Sequence, residues 1–376
     1  MASAAQRPSS ITSPRRLGRR LLGSPLLEAL AAPHGVDRYL ELVRPAWTLR
    51  DPRARVLDVR RQTVDSVTLT LRPNDAWDGF LPGQFVQVAV EIDGVRRTRC
   101  YSPACTAHAG DPTIELTVKA HAEGLVSSFL NERARPGTVV GLSQARGDFF
   151  LPPERPQHVL LISGGSGITP VMSMLRSLRD ERHTGAITFL HYAPTPELAL
   201  YRAELEAIAA TQANVRVVRA YTRAPGAGDL DGHFSPAHLH AADPDYARAE
   251  TFACGPPALL EAVRTAWAQE RLDHRLHVES FLPPTLAIAS DEAEGTVHFA
   301  RAGRSEPNDG RTLLEQAEHA GLTPEFGCRM GICHSCACRK TAGRVRNVRT
   351  GEVSDPDEEE IQICISVPAG DVELDL

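Results

Sequence analysis

Residues 325–338 read EFGCRMGICHSCAC, and their cysteines decide what the C-terminal part of the chain is built to hold. Cys328, Cys333 and Cys336 stand in C-x4-C-x2-C spacing, and Cys364 follows across one intervening segment. That is the plant-type arrangement for a [2Fe–2S] cluster, which needs four thiolates around two irons. Gly327 and Gly331 beside them let the backbone wrap closely enough for its N–H groups to face the sulfurs. Four cysteines also suit tetrahedral zinc, but zinc usually takes two separate C-x2–4-C knuckles. Three cysteines on one loop with the fourth standing apart favour the cluster. A centre of this kind passes one electron at a time, so the preceding sequence has to show where the electrons come from.

With 376 residues, a prior of about 150 per domain gives two or three domains. A hydrophobic content of 42% with 23% charged residues is ordinary for a globular chain, and no run approaches the roughly 18 apolar residues of a membrane span. The four other cysteines, Cys100, Cys105, Cys254 and Cys338, make no secreted disulfide framework, and a labile cluster calls for a reducing compartment, so a cytoplasmic location is expected. The net charge of −6 is unevenly spread: residues 291–376 hold 17 Asp or Glu against 9 Lys or Arg. The densest patch is DPDEEE (355–360), which is either a solvated face or a surface for a basic partner. No nucleic-acid partner is expected.

Residues 1–22 carry Arg7, Arg15, Arg16, Arg19 and Arg20 with no acid before Glu28, a composition shared with organellar transit peptides. PLLEALAAPHGVDRYLELV (25–43) has helical spacing broken at Pro33-His34-Gly35, so residues 1–50 read as a basic, helical extension. From Arg55 the period becomes two, in RVLDVRR, SVTLTLR, QFVQVAVE and TIELTVK, separated by turn residues; this predicts an antiparallel barrel over 51–153. From Gln157 strands (HVLLIS, AITFLHY, VRVVRAY, ETFACG, HVES) alternate with helical patterns near 170–178, 197–210 and 257–270, predicting a parallel α/β domain over 154–282. A Pro-rich linker fills 283–294. The cluster domain, 295–376, opens with GTVHFAR and the helix TLLEQAEHAG and closes with DVELDL.

Two sets of residues in the middle of the chain suit cofactors. Arg99, Cys100, Tyr101 and Ser102 follow a strand and combine a guanidinium for a phosphate, an aromatic face for an isoalloxazine and a hydroxyl for its edge. Gly124 and Ser127 open the helix VSSFLNER, where free N–H groups and the positive end of a helix dipole suit phosphate oxygens. An exposed arginine and an ordinary helix start are the plainer readings of either motif alone. GGSGITP (164–170) comes directly after a buried strand; its glycines allow close approach, Thr169 is expected to cap and Pro170 fits the first helical turn, which makes a pyrophosphate cradle. A plain strand-to-helix turn is the alternative. The motif is not G-x-G-x-x-G, and the acid expected about 20 residues on is replaced by His191 and Tyr192, so Rossmann-type NAD recognition is not supported.

RCYS (99–102), GLVSSF (124–129), GGSGITP and Cys254-Gly255-Pro256-Pro257, in this order and spacing, resemble the ferredoxin–NADP reductase superfamily. With a ferredoxin module appended, the chain is similar to the reductases of phthalate dioxygenase type. Residues 33–61 further resemble bacterial NADPH-dependent reductases that supply membrane acyl-CoA desaturases and related di-iron alkane hydroxylases. The resemblance implies a flavin-binding β-barrel, a nucleotide-binding α/β domain and a β-grasp ferredoxin, with FAD (FMN the less favoured flavin), NADPH and a [2Fe–2S] cluster as cofactors. It implies flavin contacts at Arg99, Tyr101 and Ser102, with Lys119, Gly124 and Ser127 on the phosphate side. Gly165, Gly167 and Thr169 would meet the coenzyme pyrophosphate, Cys254 would lie beside the nicotinamide, and Glu279 and Phe281 would approach the flavin. Thr222 and Arg223 fall where NADP-using members hold the 2′-phosphate. Cys338 has no role in the pattern and reads as a buried filler.

The function expected is hydride transfer from NADPH to flavin and single-electron delivery through the cluster to a membrane desaturase or alkane hydroxylase, with peripheral contact of the basic N-terminus at the inner membrane face. The alternatives are the reductase of a soluble Rieske-type ring-hydroxylating dioxygenase and a non-catalytic iron–sulfur sensor, the latter distinguished by its failure to oxidise NADPH.

Overall fold

In the computed structural model, which describes residues 48, 51–108, 110–121, 124–281, 293–327, 329–331 and 334–376, three six-stranded sheets follow one another along the chain. The helices expected between 25 and 43, the interior of the linker, Cys328 and Cys333 lie outside these residues.

The first sheet is antiparallel, in the order β4-β3-β6-β1-β2-β5, with β1 at Arg53–Thr63, β2 at Ser66–Pro73, β3 at Val86–Ile92, β4 at Val95–Tyr101, β5 at Ile114–Lys119 and β6 at Val139–Leu142. Alternation does the work here: Val67, Leu69 and Leu71 on β2 stand directly opposite Val118, Leu116 and Ile114 on β5, and all six are buried. A bridge between Pro103 and Leu116 ties the chain just past β4 to β5, so the two edges of the sheet meet and the barrel closes. Helix α1 (Leu125–Glu132) packs Val126 and Leu130 into the barrel core.

The second sheet is parallel, in the order β10-β9-β8-β7-β11-β12. Its strands are β7 (His158–Gly164), β8 (Ala186–Ala193), β9 (Val215–Tyr221), β10 (Leu230–Asp231), β11 (Glu250–Cys254) and β12 (Leu276–Glu279). Both faces are covered, which is why HVLLIS reads as a continuous apolar run rather than an alternating one. Helices α2 (Ile168–Asp180) and α3 (Arg202–Thr211) bury one face; α4 (Pro236–Ala242) and α5 (Pro257–Gln269) bury the other around Trp267. The chain steps from β7 outward to β8, β9 and β10, then returns to β11 on the other side of β7. The C-terminal ends of β7 and β11 therefore form the switch point, where α/β sheets place their ligands.

Two local expectations change. The helix foreseen near 197 starts at Arg202, because Tyr201 takes a left-handed φ of 55° and breaks it from a single turn at Pro196–Leu198. Thr169 does not cap α2; the cap is Gly167, and Thr169 Oγ1 donates to the Ser166 carbonyl at 3.2 Å from inside the helix.

The third sheet is mixed, in the order β14-β13-β18-β15-β16, with β17 also on β15. Its strands are β13 (Thr296–Phe299), β14 (Arg304–Pro307), β15 (Ala337–Asn347), β16 (Val353–Ser354), β17 (Glu359–Gln362) and β18 (Ser366–Leu374), and only the β13–β18 pair is parallel. Helix α6 (Leu313–His319) starts with a reciprocal pair: Glu315 N–H donates to Thr312 Oγ1, and Thr312 N–H donates to the Glu315 carboxylate. Its buried Leu313, Leu314 and Ala317 complete the core of this C-terminal domain. Lys340 is fully buried, with Nζ donating to the carbonyls of Gly343 at 2.6 Å and Pro356 at 2.5 Å, which anchors the start of the acidic run 355–360 to β15. Cys338, read as a buried filler, is half-buried against this core.

Candidate active site and cluster loop

A cavity of about 500 Å³ lies where the three sheets converge. The barrel contributes Arg99, Tyr101 and Ser102 from the end of β4, Lys119 from β5, and Gly124 and Ser127 from the start of α1. The parallel sheet contributes Gly165, Gly167 and Thr169 from the turn into α2, and Phe281 from just beyond β12. The structure thus gathers ten of the expected residues around one space.

The lining suits an anionic cofactor with a flat aromatic part. The Lys119 ammonium is 3.2 Å from Asp65 and keeps about a third of its side chain exposed, so it faces the cavity as a cation. Tyr101 is half-buried, and burial pushes its phenol well up, so it offers a neutral ring face. Ser102 Oγ is buried without a hydrogen-bond partner among the described residues, a donor waiting for an acceptor. At the coenzyme side the cradle is backbone: a Cβ on Gly167 would overlap the carbonyl of Cys254, so only glycine lets the turn pack against β11 at the switch point. These features fit a flavin and the pyrophosphate of a nicotinamide dinucleotide; the flavin would supply a two-electron acceptor and the dinucleotide's nicotinamide a hydride donor.

Four expected residues do not line the cavity. Cys254 and Glu279 stand directly behind it as register partners on β11 and β12, with Ser163 and His191 completing the same row on β7 and β8. All four are buried. Burial drives the Glu279 carboxyl up to about 8, with the Arg349 guanidinium of the ferredoxin domain pulling the other way, and Glu279 Oε2 has no hydrogen-bond partner among the described residues. The Cys254 thiol is held well above its ordinary value by burial and by Glu279, so it stays protonated. His191 is pushed down to about 4 by burial while its Nδ1 and Ser163 Oγ hydrogen-bond at 2.8 Å, so it is neutral. The row is therefore an uncharged polar strip at neutral pH that holds one titratable proton on Glu279. Thr222 and Arg223 sit past the end of β9, where their N–H groups donate to the carbonyls of Ala193 at 3.0 Å and Pro194 at 2.9 Å; this places them two strands from β7, on the same C-terminal rim.

The cluster loop forms the remaining wall. Arg329 and Met330, between the first and second cysteines of the loop, line the cavity, and Met330 packs against Phe85 and Cys100 of the barrel. Arg329, at φ 58°, lies 4.0 Å over the Phe326 ring and pairs with Glu318. Gln87 Nε2 donates to Ser335 Oγ at 3.1 Å, a direct bond from barrel to cluster loop. Cys336 and Cys364 are both buried in the core of the C-terminal domain, and a Cβ on Gly331, at φ 70°, would overlap Ile365. Cys336 on this tightly wrapped loop and Cys364 beyond β17 fit two places of the thiolate set of a [2Fe–2S] cluster, which would pass single electrons. Sequence reasoning missed Thr117, His121, Arg329 and Met330 as cavity residues. Alternation along TIELTVK could have paired Thr117 with Lys119 on one face; the cluster-loop pair carries no local signal, because only the packing of two domains brings it there.

Comparison with known proteins agrees with this geometry. Residues 58–150 match the family described as oxidoreductase FAD-binding domain, residues 161–265 the oxidoreductase NAD-binding domain, and residues 299–369 the 2Fe-2S iron-sulfur cluster binding domain. The chain is 40% identical over 346 residues to an NADPH oxidoreductase of Mycobacterium tuberculosis, spanning 90% of this chain and 88% of that one. It is 30% identical over 359 residues to the glycine betaine monooxygenase reductase subunit of Chromohalobacter salexigens, spanning 88% and 96%. Among solved structures, phthalate dioxygenase reductase shares the fold at 23% identity and a TM-score of 0.56, covering 86% of this chain and 97% of that one.

Proposed function

This chain belongs to the fused flavin and [2Fe–2S] reductases of phthalate dioxygenase reductase type, and from that premise we propose that it draws its electrons from NADPH and delivers them to a membrane-bound di-iron enzyme, a fatty acyl desaturase or an alkane hydroxylase. It is an NAD(P)H-dependent oxidoreductase whose cofactors are FAD, NAD(P)H and the cluster. Bound flavin would supply a two-electron acceptor for the coenzyme's hydride, and the bound cluster would supply one-electron transfer. The residues of the chain then have separable tasks. Arg99, Lys119 and the start of α1 hold phosphate; the Gly165–Gly167 turn admits the pyrophosphate; Ser102 donates to the flavin edge; Glu279 keeps a proton behind it; and Cys328, Cys333, Cys336 and Cys364 hold the irons. Arg329 and Met330 make the flavin cavity and the cluster loop one wall, and this shared wall is the observation that carries an intramolecular relay.

The choice of NADPH is supported by Arg223 on the C-terminal rim and by His191 and Tyr192 standing near the end of β8 in place of a ribose-binding acid. The membrane acceptor is supported by the resemblance of residues 33–61 and by the arginines of residues 1–22, each of which contributes about 1 kcal/mol near an anionic bilayer. The protein would accordingly work in the cytoplasm, peripherally at the inner face of the membrane, with its acidic ferredoxin domain offered to a basic patch. The name of the glycine betaine relative, a monooxygenase reductase subunit, favours a second reading, delivery to an oxygenase. The test measures NADPH oxidation coupled to acyl-chain desaturation in anionic vesicles, at low and high salt, with and without residues 1–22. Salt-sensitive coupling that weakens on truncation supports the first reading, and coupling to a soluble Rieske oxygenase alone establishes the second.

A further inference from the structure

One run of buried polar side chains crosses from the barrel into the nucleotide-binding domain. Gln62 Nε2 donates to Thr68 Oγ1 at 2.8 Å, Thr68 Oγ1 and Thr117 Oγ1 are 2.6 Å apart, and Thr117 Oγ1 hydrogen-bonds the hydroxyl of Tyr201. Thr68 and Thr117 belong to the barrel; Tyr201 stands at the start of α3. Thr68, Thr117 and Tyr201 are all buried, and Thr117 also lines the cavity, two residues from Lys119.

Arg176 of α2 holds the far end of this run. Its guanidinium lies 5.0 Å from the centre of the Tyr201 ring. Its Nη1 donates to the Ala104 carbonyl at 2.8 Å and to Glu115 Oε2 at 2.9 Å in the barrel, and its Nε donates to Glu204 Oε1 at 2.8 Å in α3. Helix α2 is the one that begins at the glycine cradle, so the side chain fastened to the barrel is carried by the same rigid element that positions the coenzyme turn. Ser173 of α2 adds a bond from its Oγ to the Cys105 carbonyl at 2.7 Å.

We infer that Tyr201 is a positioning residue for hydride transfer, setting the separation of coenzyme and flavin through its hydroxyl bond to Thr117 and its seat under Arg176. The bond joins a residue in the flavin wall to the domain that holds the nicotinamide. Hydride transfer depends steeply on the separation of donor and acceptor, and a displacement of about 1 Å costs roughly a hundredfold in rate. Buried and partnered, the run resists slippage better than an apolar contact, whose attraction has no direction. Burial also keeps the Tyr201 phenol neutral, near 12, so the bond persists across the working pH range. The left-handed backbone at Tyr201 aims the ring across the interface, a conformation that a non-glycine residue keeps only where its surroundings hold it.

The experiment compares wild type with Tyr201→Phe, which removes one oxygen and keeps the ring, with Thr117→Val, which removes the partner, and with Thr117→Ser, which restores it. Anaerobic stopped-flow gives the rate of flavin reduction and its primary deuterium isotope effect. NADP⁺ titration of the oxidised protein gives the dissociation constant, and hydrogen exchange reports protection of residues 114–121. The expected result for Tyr201→Phe and Thr117→Val is reduction slowed roughly tenfold to a hundredfold, NADP⁺ affinity within about twofold of wild type, and faster exchange in 114–121. The double variant should lose no more than either single one, and Thr117→Ser, which keeps the hydroxyl, should recover most of the rate that Thr117→Val loses. Unchanged reduction rates, or losses wholly matched by weaker NADP⁺ binding or lost flavin, would overturn the assignment. Wild-type reduction by NADPH in the same experiment keeps the hydride step itself on firm ground whichever way the variants fall.

Discussion

Replacing Glu279 by Gln tests the buried strip behind the cavity, and its magnitude follows from the burial of one carboxyl. The folded protein holds the Glu279 proton up to about pH 8, while the unfolded chain releases it near 4.5. Folding therefore binds a proton in this range, and wild-type stability falls as pH rises through it, at about 1.4 kcal/mol per pH unit. His191 acts in the opposite sense over part of the range. It stays neutral in the fold down to about 4 but charges near 6.5 when unfolded, so its contribution is lost as pH falls from 6.5 to 4. Between 4.5 and 6.5 the two slopes oppose each other; between about 6.5 and 8 Glu279 acts alone and contributes a loss of about 2 kcal/mol. Glu279→Gln cannot ionise, so its stability relative to wild type should grow by about that amount across the window. Urea unfolding followed by tryptophan fluorescence at pH 6.5, 7.25 and 8 measures the difference, and contributions from every other group cancel in it. Arg349→Met, which removes the positive charge opposing the shift, should move the window upward. A Gln-minus-wild-type difference that stays flat from 6.5 to 8 would refute the reasoning, because the carboxyl would then be solvated or already ionised.

The remaining predictions concern the cofactor sites. Ser at Cys328, Cys333, Cys336 or Cys364 should abolish the visible absorption of the cluster, whereas Cys338→Ser should leave it intact; bleaching by Cys338→Ser would overturn the ligand set. Arg223→Ala should weaken NADPH binding roughly tenfold to a hundredfold, the worth of one charge-assisted contact at about 1.5–3 kcal/mol, with little change for NADH. A wild-type protein that prefers NADH in dye reduction would remove Arg223 from the 2′-phosphate site. Gly167→Ala should cost about 1–3 kcal/mol of stability, because its methyl has to displace the Cys254 carbonyl at the switch point. Thermal unfolding checks it, and a melting temperature equal to wild type would show that the turn has room to relax.

What the sequence made legible was local, and what it hid was relational. Spacing alone marked Cys336 and Cys364, period-two runs marked the barrel, and the apolar HVLLIS followed by GGSGITP marked the strand and turn that become β7 and the start of α2. Each is a statement about neighbours along the chain. Tyr201 shows where such reading ends: the helical pattern runs through it, and only its bond to Thr117 and its place under Arg176 explain why the backbone turns left-handed there and α3 starts one residue later. Met330 is the same case between domains. Nothing in GCRMGIC distinguishes it, yet it meets Phe85 and lines the flavin cavity because the cluster loop is packed against the barrel. Glu279 is the case in between, since its position was legible and its charge was not. A carboxyl is read as an anion until the fold places it at the end of a row with Cys254, Ser163 and His191, away from water, and makes it a proton store. The residues hidden from the sequence are thus those that join the domains, and an electron relay depends on these as much as on the cofactor motifs, because its rate is set by how the sites are held relative to one another.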